Sequence, residues 1–196
     1  PMVQRREGEA VLKLLYGGVC GSDLGTYRGM NVYAQYPCVI GHEFAAQVVW
    51  AGENDYGIRE GMIVTCNPYF NCGSGYSCRR GLVNCCTHNE TMGVQREGAF
   101  AEYISMPYER IYDGQGLEPR ILSLIEPFCI SSHAVNRADV REGDRVLVMG
   151  SGTIGLLAAV AASLRGGEVY ISDISEEKLT FAEKMGIRHT ILNGPD

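Results

Sequence analysis

Up to about residue 120, apolar residues come in short runs broken by glycine and proline, a texture that predicts strands rather than helices. Ala10–Leu15, Gln47–Trp50, Met62–Thr65 and Phe100–Ile104 read as strands, spaced as in an all-β barrel or sandwich. Asn67-Pro68, Asn71–Gly75 and Asp113–Gly116 read as loops. From Ser123 the period changes. Leu124–Ala138 carries apolar residues at helical spacing, and Pro127 is expected to kink that helix or to move its start downstream. Arg145–Met149 reads as a short buried strand, followed by the glycine-rich residues 150–155 and a small-residue helix through about Leu164. A second strand is predicted at Glu168–Ser172 and a second helix at Ser175–Met185, with Ser175 as N-cap and Glu176 and Glu177 favourable to the dipole in its first turn. Thr190–Leu192 would start a third strand. Strand alternating with helix predicts the beginning of a parallel α/β sheet. The chain therefore reads as two domains, 1–126 and 127–196.

Composition narrows the classes. The 196 residues are 45% hydrophobic with 1 Trp, 11 Tyr and 5 Phe, which excludes a disordered chain. A net charge of −6 offers no basic field for a nucleic-acid backbone or an anionic membrane, so neither is expected as a partner. The longest apolar stretch, Ile154–Leu164, is too short to span a bilayer. Arg5, Arg6, Glu7 and Glu9 stand where a signal peptide needs an apolar run, and the expected location is the cytoplasm. The outlier is cysteine, at 20, 38, 66, 72, 78, 85, 86 and 129. In a reducing compartment, clustered thiols favour metal binding or chemistry over bridges.

Two motifs carry chemistry. Gly150-Ser-Gly152-Thr153-Ile154-Gly155 follows a predicted strand and opens a predicted helix, and the next strand leads to Asp173, 23 residues beyond Gly150. That context turns a weak glycine pattern into a strong dinucleotide signal. Gly150 permits the tight turn, Gly152 the backbone approach to a pyrophosphate, and Gly155 close packing of helix on strand. The helix N-terminus offers N–H groups to the phosphates. Asp173 would accept from the adenosine ribose and repel a 2′-phosphate, which favours NAD over NADP. Lys178 either reaches the same ribose or is an ordinary exposed helix lysine. The second motif pairs Cys20-Gly-Ser-Asp23 with Gly41-His42-Glu43. Thiolate, imidazole and carboxylate together can hold a zinc ion with one position left open.

With these residues, the cysteine-rich stretch 72–86, Gly98-Ala-Phe-Ala-Glu-Tyr103 and Glu126-Pro127, the chain resembles the zinc-dependent medium-chain alcohol and polyol dehydrogenases. Glu126-Pro127 looks like the sorbitol, threonine and sugar-acid dehydrogenase branch. The resemblance implies a GroES-like β-barrel catalytic domain followed by the first part of a Rossmann α/β domain. It implies Cys20, His42 and Glu43 as ligands of a catalytic zinc, with Glu126 bonded to the zinc water or exchanging into the shell. It implies Asp23 as the carboxylate that orients His42, and Ser22 as the group that passes the alcohol's proton outward. The implied activity is hydride transfer from a secondary alcohol of a polyol, sugar acid or hydroxy amino acid to NAD, in a homo-oligomer, dimer or tetramer when intact. The alternative is a non-catalytic zinc- or redox-binding module of the same shape.

Two departures stand out. Relatives with a proton relay often carry a histidine two residues after the aspartate, where this chain has Gly25. Relatives with a structural zinc carry four cysteines, and here Cys72, Cys78 and Cys86 match while the second position is Gly75. Three thiolates leave a tetrahedral site one ligand short; Cys85 could substitute only if the backbone rearranges, and the alternative is a vestigial metal-free lobe with reactive, partly exposed thiols. His133 reads as structural, His88 and His189 as surface residues, Tyr27 as lining the substrate cleft, and Cys38, Cys66 and Cys129 as buried packing thiols. By the same resemblance a first hairpin precedes Pro1 and the nucleotide fold continues beyond Asp196, so a fragment of a longer enzyme is expected.

Overall fold

The structure is a computed structural model describing residues 5–194. The expected absent hairpin and the chain end at Pro195 and Asp196 lie outside the described residues. The chain divides into two compact units, Pro1–Glu126 and Pro127–Asp196.

In the first unit, β1 (Glu9–Gly18) leads to a short helix α1 (Gly21–Tyr27), then β2 (Glu43–Trp50) and β3 (Ile63–Cys66). A two-residue strand β4 (Tyr69–Phe70) pairs with β5 (Glu90–Thr91) around the short helix α2 (Tyr76–Arg79). β6 (Tyr103–Pro107), β7 (Ile111–Asp113) and α3 (Pro119–Leu122) follow. Five strands form an antiparallel sheet in the order β6-β1-β2-β3-β7. Leu12 stands opposite Val48 on one side and Ile104 on the other. All three belong to the buried cluster, with Ala10, Phe44, Ala46, Val64 and Met106. Alternation along each strand sends these side chains to one face, and each fully buried aliphatic contributes about 1.5–3 kcal/mol.

In the second unit, α4 (Ile125–Arg137) precedes β8 (Arg145–Met149), α5 (Thr153–Leu164), β9 (Glu168–Asp173), α6 (Glu176–Lys184) and β10 (His189–Leu192). The sheet is parallel in the order β10-β9-β8, with β9 central. Val169 and Ile171 of β9 are buried with Ala159, Ala161 and Ala162 of α5 and Leu179 and Ala182 of α6. The alanines let α5 lie close to the sheet. Ser175 caps α6, its hydroxyl accepting from the Lys178 N–H at 3.4 Å.

Four local readings change. β8 is not the buried strand expected: Arg145, Leu147 and Met149 are exposed and Val146 and Val148 half-buried, because β8 is an edge strand of the described sheet. Pro127 is the third residue of α4, in the first turn, where its missing N–H has no intrahelical acceptor to lose; the helix starts upstream of it at Ile125. The last predicted strand of the first unit begins at Tyr103 instead of Phe100. Residues 98–100 instead clamp residues 39–41, with the N–H groups of Gly98, Ala99 and Phe100 donating to the carbonyls of Val39, Gly41 and Ile40. Cys66 is buried, but Cys38 is half-buried and Cys129 exposed. On α4 the buried residues Pro127, Ser131 and Val135 repeat every fourth position, and residue 129 falls on the opposite face. No helix among the described residues is long and apolar enough to cross a membrane.

Candidate metal centre and dinucleotide loop

Cys20 immediately precedes α1, and its N–H donates to Oδ2 of Asp23 at 2.9 Å. Asp23 is only 2% exposed, and its Oδ1 accepts from the Gly41 N–H at 2.9 Å. One carboxylate therefore ties the start of α1 to the turn before β2. Gly41 makes that turn possible with φ of +100°, and the Phe100 ring packs where a side chain would stand. His42 and Glu43 follow directly, both buried.

The result is a cluster in which one ligand atom each from Cys20, His42 and Glu43 lies within 4.8 Å of the others. His42 Nδ1 is buried and sits 3.5 Å from Asp23 Oδ1 in an alignment that makes no hydrogen bond. The carboxylate faces that edge of the ring, leaving Nε2 to offer a metal. Glu126, buried at the start of α4, reaches the same place, and its Oε1 accepts from the Tyr69 hydroxyl at 2.6 Å. Burial pushes the Glu126 carboxyl up, against the Tyr69 hydrogen bond and the nearby His42, with Glu43 and Asp23 adding to the rise. Burial also raises the Cys20 thiol, opposed by hydrogen bonding to Ser22 and reinforced by the Glu43 charge. Tyr69 is raised by burial and by Glu126, with Cys20 and Glu43 acting in the same direction.

The buried carboxyl groups of Asp23, Glu43 and Glu126 and the half-buried Cys20 thiol thus bear on one another, with His42 the basic group among the largest influences on Glu126. Gathering anions this way is costly unless a cation joins them. A divalent ion would supply the missing charge, and the donors present are ones that zinc accepts. The residues fit the metal. Sequence reasoning brought together Cys20, Asp23, His42, Glu43 and Glu126, and Ser22 lies exposed beside the thiol. It missed Tyr69, which stands 57 residues from its partner and carries no local signal. Gly25 has open space around it, and Tyr27 is exposed.

In the second unit the glycine loop connects β8 to α5. Gly150 takes φ of +98°, and a Cβ at Gly155 would lie 1.8 Å from the Gly150 carbonyl oxygen. At Gly152 a Cβ would meet nothing within 4 Å, so the backbone there faces open space where a pyrophosphate can approach. Asp173 Oδ2 accepts from the Ser151 N–H at 2.7 Å and Oδ1 from the Ser175 N–H at 2.9 Å. These donors hold its carboxyl below the usual range. Lys178 Nζ lies 3.9 Å from Oδ2. Thr153 opens α5, and the Ile154 carbonyl accepts from the Ser131 hydroxyl at 2.9 Å. Asp173 both shapes the loop and stands at the end of β9, where a cofactor ribose would be read.

Ligand atoms of Cys72, Cys78 and Cys86 also converge within 4.8 Å. Gly75 contributes no side chain, and Cys85, although adjacent to Cys86, is exposed and outside the cluster. His88 and His133 are exposed; His189 stacks on Tyr170 with ring centroids 4.4 Å apart.

Residues 6–115 match the alcohol dehydrogenase GroES-like domain. The chain is 39% identical over 169 residues to L-galactonate-5-dehydrogenase of Escherichia coli strain K12, a match spanning 86% of this chain and 50% of that protein. Among solved structures, an alcohol dehydrogenase from Escherichia coli CFT073 complexed with NADH superposes with a TM-score of 0.89 at 33% identity, covering 98% of this chain and 57% of that one. A Sinorhizobium meliloti 1021 protein of zinc-binding dehydrogenase type bound to NADP gives a TM-score of 0.91 at 30% identity, covering 97% and 56%. The chain spans about half the length of the curated relatives it matches.

Proposed function

We propose, for a chain that belongs to the alcohol dehydrogenase family with a GroES-like domain, a zinc- and NAD-dependent oxidation of a secondary alcohol in a polyol, sugar acid or hydroxy amino acid. The observation that carries it is the convergence of Cys20, His42 and Glu43 within 4.8 Å, with the buried Glu126 carboxyl feeling His42, Glu43 and Asp23. Zinc, when bound, supplies a Lewis acid that eases loss of the alcohol's proton, and the nicotinamide accepts the hydride. Cys20, His42 and Glu43 would hold the metal. Asp23 would hold the His42 ring in one orientation and raise its basicity. Glu126, pinned at Oε1 by Tyr69, would bond to the zinc water or exchange into the shell. The Ser22 hydroxyl, exposed beside Cys20, would carry the released proton outward. Gly25 offers no next group, so the relay beyond Ser22 would use another residue, the cofactor ribose or water.

In the second unit Gly150, Gly152, Thr153, Ile154 and Gly155 would cradle the pyrophosphate, and Asp173 and Lys178 would read the ribose. The same reading takes the protein as a cytoplasmic homo-oligomer. The identity to a sugar-acid dehydrogenase supports the substrate class. The test is NAD reduction by the protein carrying this sequence against a panel of polyols, sugar acids and hydroxy amino acids. Turnover that a chelator removes and added zinc restores is the expected result. Bound zinc with no turnover on any of these would instead make the fold a non-catalytic binding module.

Cofactor choice gives a sharper outcome. Asp173→Ala removes the carboxylate that would accept from the ribose and repel a 2′-phosphate. The ratio of kcat/KM for NAD over NADP is expected to fall about tenfold or more. An unchanged ratio would remove Asp173 from cofactor discrimination.

A further inference from the structure

The cysteine stretch departs from a four-thiolate zinc site, because Gly75 leaves the set one sulfur short. The three remaining sulfurs are nevertheless arranged as ligands. Cys72 Sγ lies 3.9 Å from Cys78 Sγ and 3.5 Å from Cys86 Sγ. Metal–sulfur bonds of ~2.3 Å in a tetrahedral shell set the sulfurs about 3.8 Å apart, so both separations suit a shared ion. Each sulfur also has at least one N–H aimed at it. Gly75 N–H donates to Cys72 Sγ at 3.3 Å, Cys72 N–H to Cys86 Sγ at 3.4 Å, and Asn71 Nδ2 to Cys78 Sγ at 3.9 Å. Asn71 is itself held by Arg110, whose guanidinium donates to Oδ1 at 3.1 Å. N–H donors at all three sulfurs would support thiolate charge on them.

We propose that Cys72, Cys78 and Cys86 form a three-thiolate site for a thiophilic divalent ion, with the fourth coordination position open to a small exogenous thiol. A Cβ at Gly75 would stand 3.3 Å from Cys72 Sγ, a tight contact, and meet nothing else within 4 Å. A cavity of about 150 Å3 lies beside it, lined by Gly75, Ser77, Cys78, Cys86 and Thr87 among others. The lining includes the hydroxyl residues Ser77 and Thr87, compatible with water at the open position when no thiol is present. A soft ion prefers sulfur to oxygen. The entering thiol gives its proton to solvent, bonds to the ion through sulfur, and displaces that water; no electrons change hands.

Cadmium reports the number of bound sulfurs through its thiolate charge-transfer absorbance. The experiment uses the protein with Cys20→Ser, so that the lobe supplies the signal, loaded with cadmium and titrated with 2-mercaptoethanol. The expected result is a saturable rise of roughly a third, one sulfur joining three, at one thiol per ion. Adding Gly75→Cys is expected to give the higher absorbance from the start and to abolish the response. The parent's own titration decides the matter if that variant fails to fold. No rise, loss of the band as thiol strips the ion, failure of the lobe to bind cadmium, or a drop of about a quarter on Cys85→Ser would each overturn the proposal. None of these readings depends on alcohol oxidation, so they stand apart from the dehydrogenase assignment.

Discussion

Replacing Cys20 by alanine is expected to lower alcohol oxidation by roughly a thousandfold or more while leaving NADH binding nearly unchanged. Lewis-acid stabilisation is worth several kcal/mol, and each 1.36 kcal/mol is tenfold in rate. Cys20 brings the one thiolate of the donor set, and its backbone N–H anchors Asp23, which in turn holds the turn carrying His42 and Glu43. Alanine keeps that N–H and removes only the sulfur, so the surrounding frame should survive. The cofactor loop belongs to the other unit and is built by Gly150, Ser151 and Asp173. Zinc content, kcat and NADH affinity measured on the same preparation separate the outcomes. Full activity with one fewer sulfur would refute a metal role for Cys20, and joint loss of NADH binding would point to collapse of the protein instead.

Gly155→Val is expected to disrupt the second unit, and Gly152→Ala to spare it while weakening the cofactor. At Gly155 the new Cβ would stand 1.8 Å from a backbone oxygen, which cannot swing aside as a flexible side chain would. Overpacking commonly costs 1–3 kcal/mol, and a clash against backbone between β8 and α5 belongs at or above about 3 kcal/mol. At Gly152 the backbone is extended with φ of −78°, and the methyl group would meet nothing. Its only expected effect is to occupy the approach used by the pyrophosphate. Denaturant midpoints and NADH titrations should therefore split: Gly155→Val loses both, Gly152→Ala loses affinity alone. Equal behaviour of the two would mean that the loop does not work as the glycine spacing implies.

Much of this was readable where local sequence and tertiary context agree. β8 occupies the predicted Arg145–Met149, and β9 and α6 lie within one residue at each end of their predicted ranges. Short apolar runs between turn residues leave little choice there. Agreement failed where the cause lies far along the chain. Gly21–Tyr27 holds two glycines and no apolar period, yet it is helical, with Asp23 joining its start to Gly41. Phe100 looked like a strand residue but is used to fill the space beside Gly41. Tyr69 sits near an apparent loop, and only the approach of α4 gives its hydroxyl a partner. Metal-ligand candidates were legible from residue type; the group that steadies Glu126 was not.

The boundary between the two units falls between Glu126 and Pro127, inside the first turn of α4. A dissection at that seam would leave the first unit with the Glu126 side chain but without the remaining turns that fix its backbone. A transplant of the metal site into another scaffold thus has to carry α4 through Arg137, as well as the segment bearing Tyr69. For a protein engineer, the module to move is defined by a helix, not by the domain edge that compactness suggests.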